Sequence, residues 1–155
     1  MRISHKVDYG VRAMVALARL GTDRPGMPVT RDRLARSEDI PPAFLDDILR
    51  LLRNGDLARS QRGPEGGWRL ARPPEDITVA DVIRVLEGPL ASVRGRRPDE
   101  LAGDGTAAPL VSLWVAVRTA LRSVLEHVTI ADLATGDLPP EVTRLLDEPA
   151  AWRVP

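Results

Sequence analysis

Residues Arg62 to Trp68 read RGPEGGW, three glycines and a proline in seven residues, with an arginine in front. Such a stretch suits a phosphate-cradling loop, the bend of a β-hairpin, or a flexible cationic tip that probes DNA. A phosphate loop needs a helix to follow it, because the anion sits on the first helical amides. Here the strand-like WRLARP follows, so that reading fails. Glycine supplies positive φ at a bend and proline fixes the residue before it. A hairpin between DLARSQ and WRLARP is therefore expected. Arg59, Arg62, Arg69 and Arg72 lie on or beside it, against one acid, Glu65. Cationic tips of this kind enter minor grooves or lie on phosphates. A plain solvated hairpin would read the same way.

Other chemistry is sparse. His5 and His127 stand far apart and belong to no H-x-x-H or H-E-x-x-H pattern. His5 and Asp8 share a helix face at i, i+3, but two ligands make a poor metal site. There is no G-x-S-x-G, no Walker loop and no dinucleotide fingerprint. Neither an enzyme nor a bound cofactor or metal is expected. Zero cysteines exclude disulfides, thiolate zinc sites and thiolate-held iron–sulfur clusters.

The elements around the glycine stretch narrow the choice. Ser4 caps a helix running to about Leu20, with Val7, Val11, Met14 and Ala18 on one face and Gly21 as its stop. Thr30 caps a short helix, TRDRLARS, with Asp32 in the first turn where the helix dipole favours an acid. After the tight connection SEDI, Pro41-Pro42 open a second helix. In PAFLDDILRLLRNG the residues Leu45, Ile48, Leu49 and Leu52 share a face, and Gly55 is the expected C-terminal glycine. Two short helices and a tight turn fit a helix-turn-helix or an ordinary α-hairpin. A hairpin directly after them is the order of a winged helix-turn-helix.

Beyond Pro73-Pro74 a helix over 78–87 starts at a capping box of Thr78 and Asp81, buries Val79, Val82, Ile83 and Leu86, and ends at Gly88. Residues 89–108 form a long loop containing RGRR. A long helix over 109–128 carries Leu110, Trp114, Val117, Leu121, Val124 and Val128 at alternating spacings of four and three, an a/d stripe that suits a dimer interface better than the alternative, a fully buried core helix. Leu113 and Leu125 widen it to a second face. Thr129 and Asp132 start a final short helix, and the tail after Pro139-Pro140 is expected to be loosely held.

The totals fit a small chain with a core of its own. The 155 residues suffice for one domain, or one with an appendage. Apolar residues are 43 % but only five side chains are aromatic, so the core is mostly aliphatic. The polar N-terminus resembles no signal peptide, and no apolar run looks long enough to cross a membrane; a cytoplasmic protein without a membrane partner is expected. The formal net charge of zero hides an asymmetry: residues 1–75 hold 14 basic and 10 acidic side chains, residues 76–155 hold 8 and 12. A basic half joined to an acidic half suggests that one end meets a polyanion.

In order, MRISHKVDYGVRAMVALA, IPPAFLDDILRLLRNGDLARSQRGPEGGWRLARP, ITVADVIRVLEGPL and LW…VTIADL resemble the Rrf-two family of bacterial regulators, the IscR, CymR and NsrR types. The match is close over residues 1–90 and looser over 110–135. The resemblance implies a mainly α, homodimeric winged-helix transcription factor. Residues 1–75 would bind DNA, and residues 76–155 would dimerise and sense. The recognition helix, residues 42–53, would enter the major groove. Its exposed positions are Pro42, Ala43, Asp46 and Asp47, with Arg50 and Arg53 behind them. The wing, with Arg59, Arg62, Gly63, Gly66 and Gly67, would reach the adjacent minor groove. The family usually has Glu-Gln where this chain has Asp46-Asp47. A carboxylate at Asp46 can accept from a cytosine amino group, but two acids facing DNA need offsetting by arginine.

Iron–sulfur members of the family place three cysteines in the segment equivalent to 91–108. Here it reads ASVRGRRPDELAGDGTAA, without cysteine or histidine. Asp8 falls where some relatives supply an oxygen ligand. The chain thus resembles the cysteine-free branch, whose CymR-type members govern sulfur metabolism with a partner enzyme or metabolite. A repressor acting on a near-palindromic operator is the leading expectation. The alternative is a protein-interaction module that keeps the fold and docks a metabolic enzyme. A small-molecule pocket walled by Trp114 is a third.

Overall fold

The computed structural model describes residues 3–23, 27–101 and 107–153. Seven helices and one hairpin follow in the order α1 (His5–Asp23), α2 (Arg31–Glu38), α3 (Pro42–Asn54), β1 (Ala58–Gln61), β2 (Gly67–Leu70), α4 (Val79–Glu87), α5 (Ala107–Leu125), α6 (Ile130–Thr135) and α7 (Pro140–Leu146). Short 3-10 turns occupy Pro74–Asp76 and Pro98–Glu100.

The local signals act as expected at most helix starts. The Ser4 hydroxyl accepts from the Val7 amide at 3.2 Å, and Thr30 accepts from Arg33. Two glycines behave differently. Gly21 does not stop α1, which continues to Asp23. A glycine keeps both backbone hydrogen-bonding groups and costs a helix only about 1 kcal/mol, and Thr22 donates back to the Ala18 carbonyl at 2.9 Å. Gly55 follows α3 with φ −92°, not left-handed; the left-handed residue is Asp56, at φ 55°. The need for glycine at 55 is steric, since a Cβ there would run into Val85 of α4.

Helix α1 packs against α2, α3, α4, α6 and β2. One apolar cluster joins Met14 and Leu17 of α1, Leu34 of α2, Leu45 and Leu49 of α3, and Ile77, Val82 and Ile130 from beyond residue 75. One core therefore serves both halves of the chain.

β1 and β2 are antiparallel, with Ala58 opposite Leu70, Arg59 opposite Arg69 and Gln61 opposite Gly67. A third segment joins them. Val29 and Trp68 exchange both backbone hydrogen bonds, each 2.7 Å, which lashes the wing to the residues entering α2.

Two capping boxes meet back to back. Thr78 with Asp81 starts α4 and Thr129 with Asp132 starts α6, each box complete in both directions. Between them the Val79 amide donates to the Val128 carbonyl at 2.9 Å and the Ile130 amide to Ile77 at 2.8 Å. Val128 consequently lies beyond the end of α5 and is buried, 5 % exposed. It is a core residue with no surface for a partner, which corrects its place in the expected interface stripe.

The stripe on α5 resolves into two adjacent rows. Val111, Trp114, Arg118, Leu121 and Leu125 are half-buried against the rest of the chain. Leu110 (49 % exposed), Leu113 (52 %) and Val117 face outward. Trp114, Val117 and Leu121 help to wall a cavity of about 600 Å³, closed on other sides by Val7 of α1, Ile83 of α4 and Leu90. The window Ala108–Leu125 is long and apolar enough, at mean hydropathy 1.3, to cross a membrane by length and composition. This corrects the expectation that no such run exists: two interspersed arginines hide it in the sequence. Both are paired within the fold, Arg118 with Asp99 at 2.5 Å and Arg122 with Glu126 at 3.0 Å. The tail, expected to be loose, holds α7, which opens on the Pro139-Pro140 pair.

Candidate nucleic-acid interface

The interface is built from α2, α3 and the wing. α2 turns into α3 through Asp39, held left-handed at φ 51°, while the Ile40 amide reaches back to the Ala35 carbonyl at 3.0 Å. Leu45, Ile48, Leu49 and Leu52 are all buried. Burial of four aliphatic side chains at about 1.5–3 kcal/mol each fixes which face of α3 looks outward. That face carries Pro42, Ala43, Asp46, Asp47, Arg50 and Arg53, all exposed. No side chain caps its first turn, so those amides are open to a phosphate acceptor. Phe44, unforeseen in the sequence reading, is 60 % exposed beside them, its ring edge-on to Tyr9 at 6.4 Å.

The two acids are already neutralised. Asp46 pairs with Arg31 at 3.1 Å, and Asp47 with Arg50 at 3.0 Å. Arg31 also holds Asp32 at 2.8 Å, and hydrogen bonds to Asp32 and then Asp46 raise its pKa further. Sequence reasoning missed Arg31. The sole hint was its position as first residue of α2, where a long side chain can reach across to the next helix.

Four further arginines of α3 and the hairpin stand without an acid partner. Among the described residues, no carboxylate lies within 4.0 Å of Arg53, Arg59, Arg62 or Arg69. Arg59 and Arg69 stand directly opposite one another in the hairpin register, both exposed. Like charges directly across a ladder destabilise it, and a polyanion laid over the pair removes that repulsion. Glu65 is exposed at the tip and makes no ion pair with Arg62 among the described contacts, so it does not orient that arginine. Arg72 is set apart, 3.9 Å from Asp81.

Each wing glycine answers a separate demand. Gly63 has φ +111° with open space around it. At Gly66 a Cβ would press on the Gln61 and Gly63 carbonyl oxygens, at 2.5 and 2.7 Å. At Gly67, φ +156°, it would lie 2.5 Å from the Val29 carbonyl oxygen. Two of the three thus serve the wing's own construction, and only Gly63 faces open space at the tip.

The family model "Rrf2: Iron-dependent Transcriptional regulator" matches residues 3–136. A putative HTH-type transcriptional regulator of Mycobacterium tuberculosis is 49 % identical over 96 % of this chain and 90 % of its own length. The HTH-type regulator CymR of Bacillus subtilis is 34 % identical over 87 % of this chain and 91 % of its own. Its structure, described as that of the global cysteine regulator of B. subtilis, gives a TM-score of 0.72 over 88 % of this chain and 98 % of that one. The T. potens IscR structure gives 0.70 at 33 % identity, covering 88 % of each chain.

The family description mentions iron, and the donors for it are wanting here. The chain has no cysteine, and the described residues contain no group of three His, Asp or Glu side chains that could hold a metal ion. Asp8, at the position of an oxygen ligand in some relatives, is instead 3.5 Å from Arg12. A cysteine-held cluster does not fit these residues. With its winged helix-turn-helix, its match over residues 3–136 and relatives that are regulators rather than enzymes, the chain belongs to the Rrf2 family of DNA-binding transcriptional regulators, on its cysteine-free side.

Proposed function

We propose that the protein is a cytoplasmic homodimeric repressor of a near-palindromic operator, controlled by a small metabolite or a partner protein in sulfur or cysteine metabolism. Residues 1–75 bind the operator, with α3 in the major groove and the wing in the adjacent minor groove. Residues 76–155 pair the two copies through α5 and receive the signal. The observation that carries this reading is the unpaired arginine face: Arg59 opposite Arg69 on the hairpin, with Arg62 at its tip and Arg53 at the end of α3. The exposed row Leu110, Leu113 and Val117 supports pairing through α5. The kinship with CymR, described as a cysteine regulator, supports the metabolic assignment. The cavity of about 600 Å³ beside Trp114 has the size and apolar walls of a metabolite site.

Two recognition helices on one face of a duplex are expected about 34 Å apart. The test is a salt titration of binding to duplexes from the protein's own promoter region. Arg62→Gln weakens binding to every sequence and makes the log–log salt slope shallower by about 1.8, one phosphate contact from each copy of the dimer. Asp46→Asn instead changes which operator is preferred, because it alters the pair that Arg31 holds near the base edges. A protein that binds no such duplex at low salt, yet captures an enzyme, is an interaction module and not a repressor.

A further inference from the structure

Four arginines from three separate segments line one cavity: Arg84 of α4, Arg97 ahead of the Pro98–Glu100 turn, and Arg118 and Arg122 one turn apart on α5. Its volume is about 290 Å³, and its remaining wall is the bend Gly88-Pro89-Leu90. No carboxylate lines it. The acids that pair these arginines lie outside the lining and tie them together in twos. Asp99 takes Arg118 at 2.5 Å and also Arg97. Glu126 takes Arg122 at 3.0 Å and also Arg84. Asp81 and Glu100 add contacts of 3.6 and 3.4 Å to Arg84 and Arg97.

We infer that this cavity binds a small tetrahedral dianion, a phosphate or sulfate group, either free or as the charged end of a small metabolite. A guanidinium carries five N–H donors in a planar fork, and a carboxylate uses only one or two of them. The donors left over at four convergent forks match tetrahedral oxygens, which arginine binds bidentately. The bridging carboxylates hold the side chains in place before the ligand arrives, so less rotamer freedom is lost on binding. Asp99 is held down to about 2, chiefly by its hydrogen bond from Arg97, and hydrogen bonds from Arg122 and then Arg84 lower Glu126, so these two bridging carboxylates stay ionised at neutral pH. None of the lining residues comes from α2, α3 or the hairpin, so the site is separate from the proposed operator surface. Helix α5 meets the rest of the chain largely through α4 and the Pro98–Glu100 turn. An anion held by all three segments therefore ties α5 to the body. The inference stands on this geometry and does not depend on the operator reading.

The experiment is isothermal titration of the full-length protein with inorganic phosphate, inorganic sulfate and glycerol 3-phosphate, against chloride at constant ionic strength. Saturable binding at one site per chain is expected, weakened about tenfold in Arg122→Gln and in Arg97→Gln, each of which removes one charge-assisted fork. Arg122→Gln leaves Glu126 its pair with Arg84, and an unchanged circular dichroism spectrum confirms folding of both variants. Arg62→Gln leaves the anion affinity unaltered. Tighter binding of glycerol 3-phosphate than of phosphate assigns a phosphorylated metabolite; equal binding assigns the free ion. The inference is overturned by the absence of saturable binding, or by anion binding that Arg62→Gln abolishes and Arg122→Gln retains. It is equally overturned if Arg122→Gln weakens duplex binding as much as Arg62→Gln, which would make the arginines a DNA-backbone contact.

Discussion

Helices α3 and α5 are both amphipathic, yet they relate to the fold in opposite ways. The 13 residues of α3 bury Leu45, Ile48, Leu49 and Leu52 and turn charge outward. Of the 19 residues of α5, those from Ala108 onward bury none of their side chains fully, and Leu110, Leu113 and Val117 turn outward. A helix that is anchored by its apolar face can afford a polar exposed face for a polar ligand. A helix whose apolar row remains in water leaves that row uncovered by its own chain. The difference separates what the single chain satisfies by itself from what it leaves exposed.

That contrast can be broken by mutation. The largest effect is expected in α3: Leu49→Ala removes a fully buried side chain and lowers unfolding free energy by about 2–5 kcal/mol in urea titration. In α5 the matching change acts on association instead. If α5 pairs two copies as proposed, Leu113→Asp should convert dimer to monomer in sedimentation experiments while the monomer stays folded. If Leu113→Asp unfolds the chain, or sediments as the native protein does, the two helices are not divided in this way. Gly67→Ala should follow, because the new Cβ meets the Val29 carbonyl oxygen at 2.5 Å and the backbone φ is +156°. It should cost more than about 1 kcal/mol and weaken duplex binding by displacing the wing, whereas an alanine at Gly63 meets open space and pays only for its φ of +111°. The smallest effect concerns Asp99, whose pKa is lowered from 3.8 to about 2, first by the hydrogen bond from Arg97. A carboxylate so depressed contributes stability fully above its ordinary value, and loses it as pH falls through about 2. A carboxyl NMR titration of Arg97→Gln should show Asp99 moving back toward 3.8.

What could be read from the chain alone was local. The caps at Ser4, Thr30, Thr78 and Thr129 need partners only three residues away, so spacing reveals them. The wing was legible because glycine, proline and strand residues have fixed places in a bend. Contacts between distant segments were not. Nothing near Val29 announces its exchange with Trp68, and nothing near Asp46 announces Arg31. The α5 stripe was seen but drawn across two rows, since a spacing of three and four fits either of two neighbouring helical faces. Only burial separates them: Trp114 and Leu121 are half-buried, Leu110 and Leu113 are exposed, and Val117 is exposed at the edge of the chain's own cavity. Gly55 was legible as a glycine position but not for its reason, which is Val85 of a helix thirty residues further on. The four-arginine cavity was invisible because its members come from three segments, and only RGRR drew notice.

The back-to-back junction of Thr78 and Thr129 has a topological consequence. Its two hydrogen bonds, Val79 to Val128 and Ile130 to Ile77, close the intervening chain into a ring whose neck is part of the core. Once the neck is fixed, the entropy of closing a ring grows only with the logarithm of its length, and doubling it costs about 0.6 kcal/mol. The stretch between Gly88 and His127 can therefore lengthen or shorten while the winged helix-turn-helix keeps its shape. A cysteine-free loop is then a permissible filling of that ring, and the rest of the fold need not register the change.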